Sequence, residues 1–211
     1  MRWEDQLNSN NLAILQSFQT PVQIQAFLDS IPYSAEDANR CPVRVLEDRQ
    51  AHCLDGGLFA AAALRRLGYP AVIIDMLPIP GRDDDHVLAI FQQNNRLGAI
   101  AKSNFVGLRY REAVYKTMRE LVMSYFEAFF NSFGEKTLRG YTRPVKLSKF
   151  DHLNWEMNDQ AADQIEEYLK KLKITPILTP DMEAGLSKVD QRFYEGMTLG
   201  TDPDGLYKIK G

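Results

Sequence analysis

The chain has 211 residues, 45% of them hydrophobic, and a formal net charge of −3. That is material for one substantial core with elaborated flanks, and too little for two large domains. No long basic block occurs, so binding to nucleic acid by phosphate neutralisation is not expected.

The first thirty residues read as two helices. Leu7, Leu12, Ile14, Leu15 and Phe18 recur at roughly helical spacing, and Thr20-Pro21 caps and opens a second run through Val22, Ile24, Phe27 and Leu28. Residues 31–52 carry turn formers and little periodicity, which predicts a long connection of the kind that often serves a site. The segment 53–69 is the clearest helix, with Leu54, Leu58, Ala61, Ala62, Leu64 and Leu67 able to pack inward and Gly68 as its stop. A β-branched run, 71–76, then a Pro/Gly loop, leads to a hairpin of 86–91 and 97–101 across the polar turn 92–96. The first hairpin strand is apolar on both faces, which puts it inside the sheet.

Beyond it, the apolar stripe from Ala113 to Phe129 predicts one long helix over 110–130. A strand is expected near 141–147 and an amphipathic helix over 159–173. The remainder reads as loops, with a short helix near Val189 and a terminal strand at 206–209. The order gives an α+β fold of one domain, 1–211, with a core at about 40–150 and helical additions at 1–30 and 155–211. The N-terminus, Met1 to Asp5, lacks the layout of a signal peptide, and no apolar run approaches the roughly 18–20 residues that span a bilayer. Two cysteines, Cys41 and Cys53, are too few for a disulfide framework, so a reducing, cytoplasmic setting without a membrane partner is the expectation.

Cys53 opens the best helix in the chain. A cysteine is a good nucleophile only as the thiolate, which a helix N-terminus and a nearby imidazolium both stabilise. Gly56 and Gly57 stand one turn on, where each costs about 1 kcal/mol against Ala, and they make sense if a strand packs very close to that turn. A lone cysteine on an apolar helix is ordinarily an inert small hydrophobe. The glycine pair, and a hairpin that begins at His86, favour a functional thiol with His86 as its base. A third group usually orients the base through its other N–H. The partner strand ends at Lys102-Ser103-Asn104, where Asn104 is the better acceptor and Ser103 the weaker one. Gln50 is a candidate side-chain donor for an oxyanion, beside the N–H of Cys53. Cys53, His86 and Asp83–Asp85 are acceptable zinc ligand types, but their spacing matches no tight zinc pattern. No metal or other cofactor is expected.

The block from Arg49 through Cys53-Leu54-Asp55-Gly56-Gly57 to Leu67-Gly68-Tyr69-Pro70, followed by His86-Val87-Leu88-Ala89-Ile90-Phe91, resembles the transglutaminase-like superfamily over roughly residues 45–105. Cys53-Leu54-Asp55 is similar also to the start of the arylamine N-acetyltransferase site. The resemblance implies a papain-like α+β core, a central helix against an antiparallel sheet, and acyl-transfer chemistry on a peptide or small amide-containing substrate. One departure stands out: Ser103-Asn104 is found where the family carries an acid. A Cys-His-Asn arrangement, as in papain-like proteases, and a non-catalytic binding or scaffold protein on the same fold are the two readings this leaves. Hydrolysis versus transfer, and the oligomeric state, are not legible.

Overall fold

A computed structural model of the protein describes residues 3–208. Helices α1 (Ser9–Ser17) and α2 (Pro21–Ser30) stand where the periodicity put them. Asn8 caps α1 by accepting the N–H of Asn11 at 2.9 Å, and Thr20 with Gln23 forms a capping box on α2 ahead of Pro21. The connection over 31–52 is not wholly irregular, because it contains a third helix, α3 (Pro42–Asp48). Two turns are too short to show an apolar period, and the Cys41 side chain makes no capping bond. The central helix, α4 (Cys53–Arg66), is buried along 53–64 and followed by Gly68 at φ +89°.

The sheet is antiparallel. Its strands are β1 (Val72–Pro78), β2 (His86–Gln93), β3 (Arg96–Ile100), β4 (Arg111–Tyr115), β5 (Leu138–Thr142), β6 (Val145–Lys146) and β7 (Ile174–Pro176), in the order β4-β3-β2-β1-β5-β7 with β6 also on β1. The doubly apolar β2 is therefore interior. Asn94 and Asn95, with φ of 48° and 58°, make the tight turn to β3. A helix laid on an antiparallel sheet is the α+β layout expected.

Alternate residues of the strands feed two cores. Ile73, Val87, Ala89, Phe91 and Ile100 face α4, where Phe59 meets the Phe18 and Phe27 rings at 6.2 and 5.0 Å. Ile74, Met76, Leu88, Ile90 and Ala99 face the other way, onto Leu121, Val122, Tyr125 and Phe129.

That second core is built by the segment expected to be one helix over 110–130, and there the expectation fails. Residues 111–115 form edge strand β4, and Thr117 then caps a short helix, α5 (Met118–Met123), before a single 3-10 turn at Phe126–Ala128. Arg111 holds the break. Its guanidinium lies 3.9 Å from the Tyr125 ring centroid and donates to Ser124 Oγ and to the carbonyls of Gly107 and Ser124. The aromatic stripe is consumed internally, and Tyr125, Phe126, Phe129 and Phe130 are buried.

The strand expected near 141–147 is divided between β5 and β6. A 3-10 stretch, Leu147–Leu153, leads to α6 (Asp159–Leu169), which Asn158 caps and which stops short of residue 173. The closing region holds α7 (Pro180–Ala184) and α8 (Gln191–Met197), the latter just past Val189. Residues 206–208 form no strand, and Ile209 lies outside the described residues. Among the described residues, no helix is long and apolar enough to cross a membrane.

The first turn of α4 touches the sheet without room for side chains. A Cβ on Gly57 would lie 2.7 Å from Val87 Cγ1, and one on Gly56 would lie 2.2 Å from Lys102 Cβ. Lys102 is there because α2 takes hold of the chain as it leaves β3. Gln25 bonds both the N–H and the carbonyl of Ala101, at 3.1 and 3.0 Å, and Lys102 Nζ donates to the carbonyls of Leu28 and Ile31 at 2.8 and 2.5 Å. Those carbonyls end α2, where a cation is favoured. At an open helical site Gly→Ala gains about 1 kcal/mol. Here Gly56→Ala is expected to lose about 2 kcal/mol in urea denaturation, because the opposing atom is a Cβ that cannot turn away; a gain would show that the contact is loose.

Candidate active site

Pairing of β2 with β3 runs only from Gln93↔Arg96 to Ala89↔Ile100. Below Ala89 the strands part, and the start of α4 enters the gap. The Cys53 sulfur donates to the carbonyl of Asp85 at 3.7 Å and faces the N–H of Val87, so it lies against the two peptides that flank His86. It borders a cavity of about 540 Å³ with Tyr33, His52, Asp84, Asp85 and Glu166 among its walls. The cysteine itself is 8% exposed.

His86 belongs to the opposite face of the sheet. Its β1 partner is Met76, its ring meets Phe129 edge-on at 6.5 Å between centroids, and its Nε2 lies 2.7 Å from the Leu108 carbonyl. A carbonyl only accepts, so Nε2 carries the proton and Nδ1 is the basic nitrogen. The ring borders a second, smaller cavity of about 70 Å³. Tyr33, Asp84, Asp85, Gly205, Leu206 and Tyr207 border both cavities, so the thiol and the imidazole lie on two sides of one wall.

The remaining candidates fall as follows. Asn104 and Ser103 do come back to the His86 cavity. The Asn104 amide is taken on both sides by Asp202, donating to its carbonyl and accepting its N–H at 2.9 Å each. Ser103 Oγ accepts the N–H of Phe105 at 2.9 Å. Gln50 is half-buried and does not border the Cys53 cavity. Lys102 faces α2 and takes no part. Among the described residues, no group of three or more His, Cys, Asp or Glu side chains is disposed to hold a metal ion, and both cysteines are free.

Several neighbours of Cys53 escaped the sequence reading. Tyr33 borders the cavity beside Cys53, and burial holds its hydroxyl well above the ordinary range. Asp75, buried in β1, pairs with Val87 in register, and its carboxyl bonds that of Asp85. Its one trace in the sequence is a charge inside the β-branched run Val72-Ile73-Ile74-Asp75-Met76. His52 caps α4, its Nδ1 accepting the Leu54 N–H at 3.2 Å. Asp55 accepts the backbone N–H groups of Arg40 at 2.7 Å and His52 at 3.2 Å, fastening the 31–52 connection to the helix.

Burial dominates the titration of the site. It pushes the Cys53 thiol well up, and Asp85 and Asp84 add to that, against the pull of the Val87 N–H. Burial also raises both acids of the Asp75–Asp85 pair, and raises Asp84 to about 6. His86 is driven down to about 4 by burial, against the bond to Leu108. In this state the proton sits on sulfur and the imidazole is neutral.

No family model matches the chain, and no curated protein matches it. Among solved structures the chain is similar to Legionella pneumophila LapG, with a TM-score of 0.42 at 10% identity over 81% of this chain and 93% of that one. It is similar also to the EGTA-treated form of LapG, with a TM-score of 0.41 at 11% identity over 77% and 93%. Overlap of that degree says nothing about activity, which has to come from the residues.

A histidine at about 4 in the folded chain and 6.5 in its ordinary state binds its proton first when unfolded. Its contribution to stability is therefore complete above about 6.5 and is lost as pH falls through 4, by about 3 kcal/mol in all. His86→Gln keeps a donor for the Leu108 carbonyl and removes the titration. The stability difference between wild type and this variant should change by that amount between pH 7 and pH 4; a difference flat with pH would mean that the ring is solvated.

Proposed function

We propose that the protein is a cysteine-dependent acyl-transfer enzyme, a peptidase or amidase or a transglutaminase-type transferase, with Cys53 as nucleophile and His86 as base. The observation that carries this reading is the position of the Cys53 sulfur. It lies at the start of a buried helix, on a cavity, against the peptides either side of His86. His86 lies on the other face of the sheet and makes no bond to the thiol here, so this reading requires the imidazole, its proton on Nε2, to be brought round to present Nδ1 to the sulfur. The Leu108 carbonyl fills the orienting role assigned to Asn104 from the sequence, since it accepts the other N–H.

The chemistry would run as follows. His86 Nδ1 takes the proton from Cys53, and the thiolate attacks an acyl carbonyl. The developing oxyanion is met by the N–H groups at the start of α4, that of Cys53 among them. The leaving amine takes the proton back from His86. Water or a second amine then releases the acyl group from sulfur. Gln50 would have to turn toward the cavity to assist.

A second reading, a non-catalytic binding or scaffold protein, is favoured by one observation. Asp84, Asp85 and Asp75 all face the thiol and oppose its ionisation.

Peptide-amide turnover in the presence and absence of hydroxylamine separates the readings. The enzyme should release amine, form hydroxamate when hydroxylamine is present, lose all activity in Cys53→Ser, and lose about 10²- to 10⁴-fold in His86→Gln. Absence of turnover in wild type and in every variant that exposes Cys53, with the exposed thiol alkylated at the same rate whether residue 86 is His or Gln at every pH, would establish the scaffold.

A further inference from the structure

The wall between the thiol and the imidazole is not made by the core alone. Residues 201–208 run across it. Gly205, Leu206 and Tyr207 border both the Cys53 cavity and the His86 cavity, and Lys208 borders the first. The segment is fastened at one end. Asn104 pairs with the backbone of Asp202 much as a neighbouring strand would, by two bonds of 2.9 Å, and Thr201 Oγ1 donates to the Asn104 carbonyl at 3.1 Å. A single 3-10 turn, Pro203–Gly205, then delivers Gly205 onto Tyr33, so closely that a Cβ there would lie 2.8 Å from the ring. Glu36, Asp37, Asp84, Asp85 and Glu166 line the cavity, and the segment brings both Asp204 and the cation Lys208 to it, so that Lys208 is its one group of complementary charge.

We infer that the space between Cys53 and His86 is a groove for an extended peptide bearing a basic residue, and that the protein's own segment Thr201–Lys208 occupies it as an autoinhibitory strap clamped by Asn104. The inference rests on Cys53 being the reactive thiol. It also gives a reason why the amide of Asn104 is turned to Asp202 and not to the imidazole in the same cavity. With the strap in place Cys53 is almost wholly shielded; with the strap displaced, the Cys53 and His86 cavities would open toward each other around the start of β2, where Gly205, Leu206 and Tyr207 now border both.

Two full-length variants test this without altering Asn104. Asp202→Pro removes the N–H that Asn104 accepts, at a residue whose φ of −76° suits proline. Gly205→Val drives the strap off the Tyr33 ring. Alkylation by iodoacetamide at neutral pH is read at each cysteine by peptide mass mapping. Cys41, buried and bordering neither cavity, reports general loosening of the chain. Both variants should raise the Cys53 rate by tenfold or more and leave Cys41 unchanged. A synthetic Thr-Asp-Pro-Asp-Gly-Leu-Tyr-Lys peptide at millimolar concentration should slow Cys53 again in Asp202→Pro, and the same peptide with Glu for its Lys should not.

An unchanged Cys53 rate in both variants, a parallel rise at Cys41, or equal protection by the two peptides would each overturn the strap. The catalytic reading fails separately. Accelerated alkylation without peptide-amide turnover in any variant leaves the strap standing and removes the enzyme, whereas turnover in wild type with unchanged alkylation does the reverse.

Discussion

The site depends on one contact, the approach of the first turn of α4 to the sheet where Gly56 and Gly57 stand. Nothing larger than hydrogen fits against Lys102 Cβ and Val87 there. Because the helix comes so close, its first residue reaches the level of the strand backbone and enters the opening where β3 leaves β2. The opening in turn exists because α2 draws Ala101 and Lys102 aside, through Gln25 and the carbonyls that end α2. Thus an N-terminal helix, far from the thiol in sequence, makes the slot in which the thiol lies. Asp55 completes the frame by tying Arg40 and His52 to the same turn, and Arg40 is paired in addition with Asp48 at 3.1 Å and with Glu36.

The slot sets two electrostatic effects against each other. A helix N-terminus favours a thiolate by an amount that falls off within one turn, typically under 1 kcal/mol at an exposed end and about 2 kcal/mol at best. Removal of water, and three carboxyl groups on the same side, act in the opposite sense, and here they win. A helix start is therefore not enough to activate a cysteine; what stands opposite the sulfur matters more.

Much of this arrangement was legible in the residues. The helix boundary at Cys53, the hairpin opening at His86 and the purpose of the glycine pair all follow from local rules of propensity and packing, and they hold. The 110–130 region misled because a broad aromatic stripe has the same composition whether one helix carries it or a strand, a short helix and a 3-10 turn share it. Arg111, which fixes the break, binds mostly backbone carbonyls. Which face His86 takes was beyond reach for a different reason. Strand parity depends on register, and a slip of one residue would reverse it. The Leu108 carbonyl could not have been found, since a backbone acceptor carries no signature. Asn104 borders the same cavity as His86, but its partner lies 98 residues away in a region that reads as loop.

The titration state and the strap are one problem. Burial is the leading cause of the shift at Cys53 and at His86 alike, and it acts in opposite directions on them, raising the acid and lowering the base. Readmitting water therefore moves the two toward each other, the thiol down and the imidazole up. A segment that shields both groups from water holds the proton on sulfur simply by being there, and the bonds of Asn104 to Asp202 then set how strongly the resting state is preferred. Tyr33 lies at the centre of this arrangement, because it carries the strap on its ring and borders both cavities.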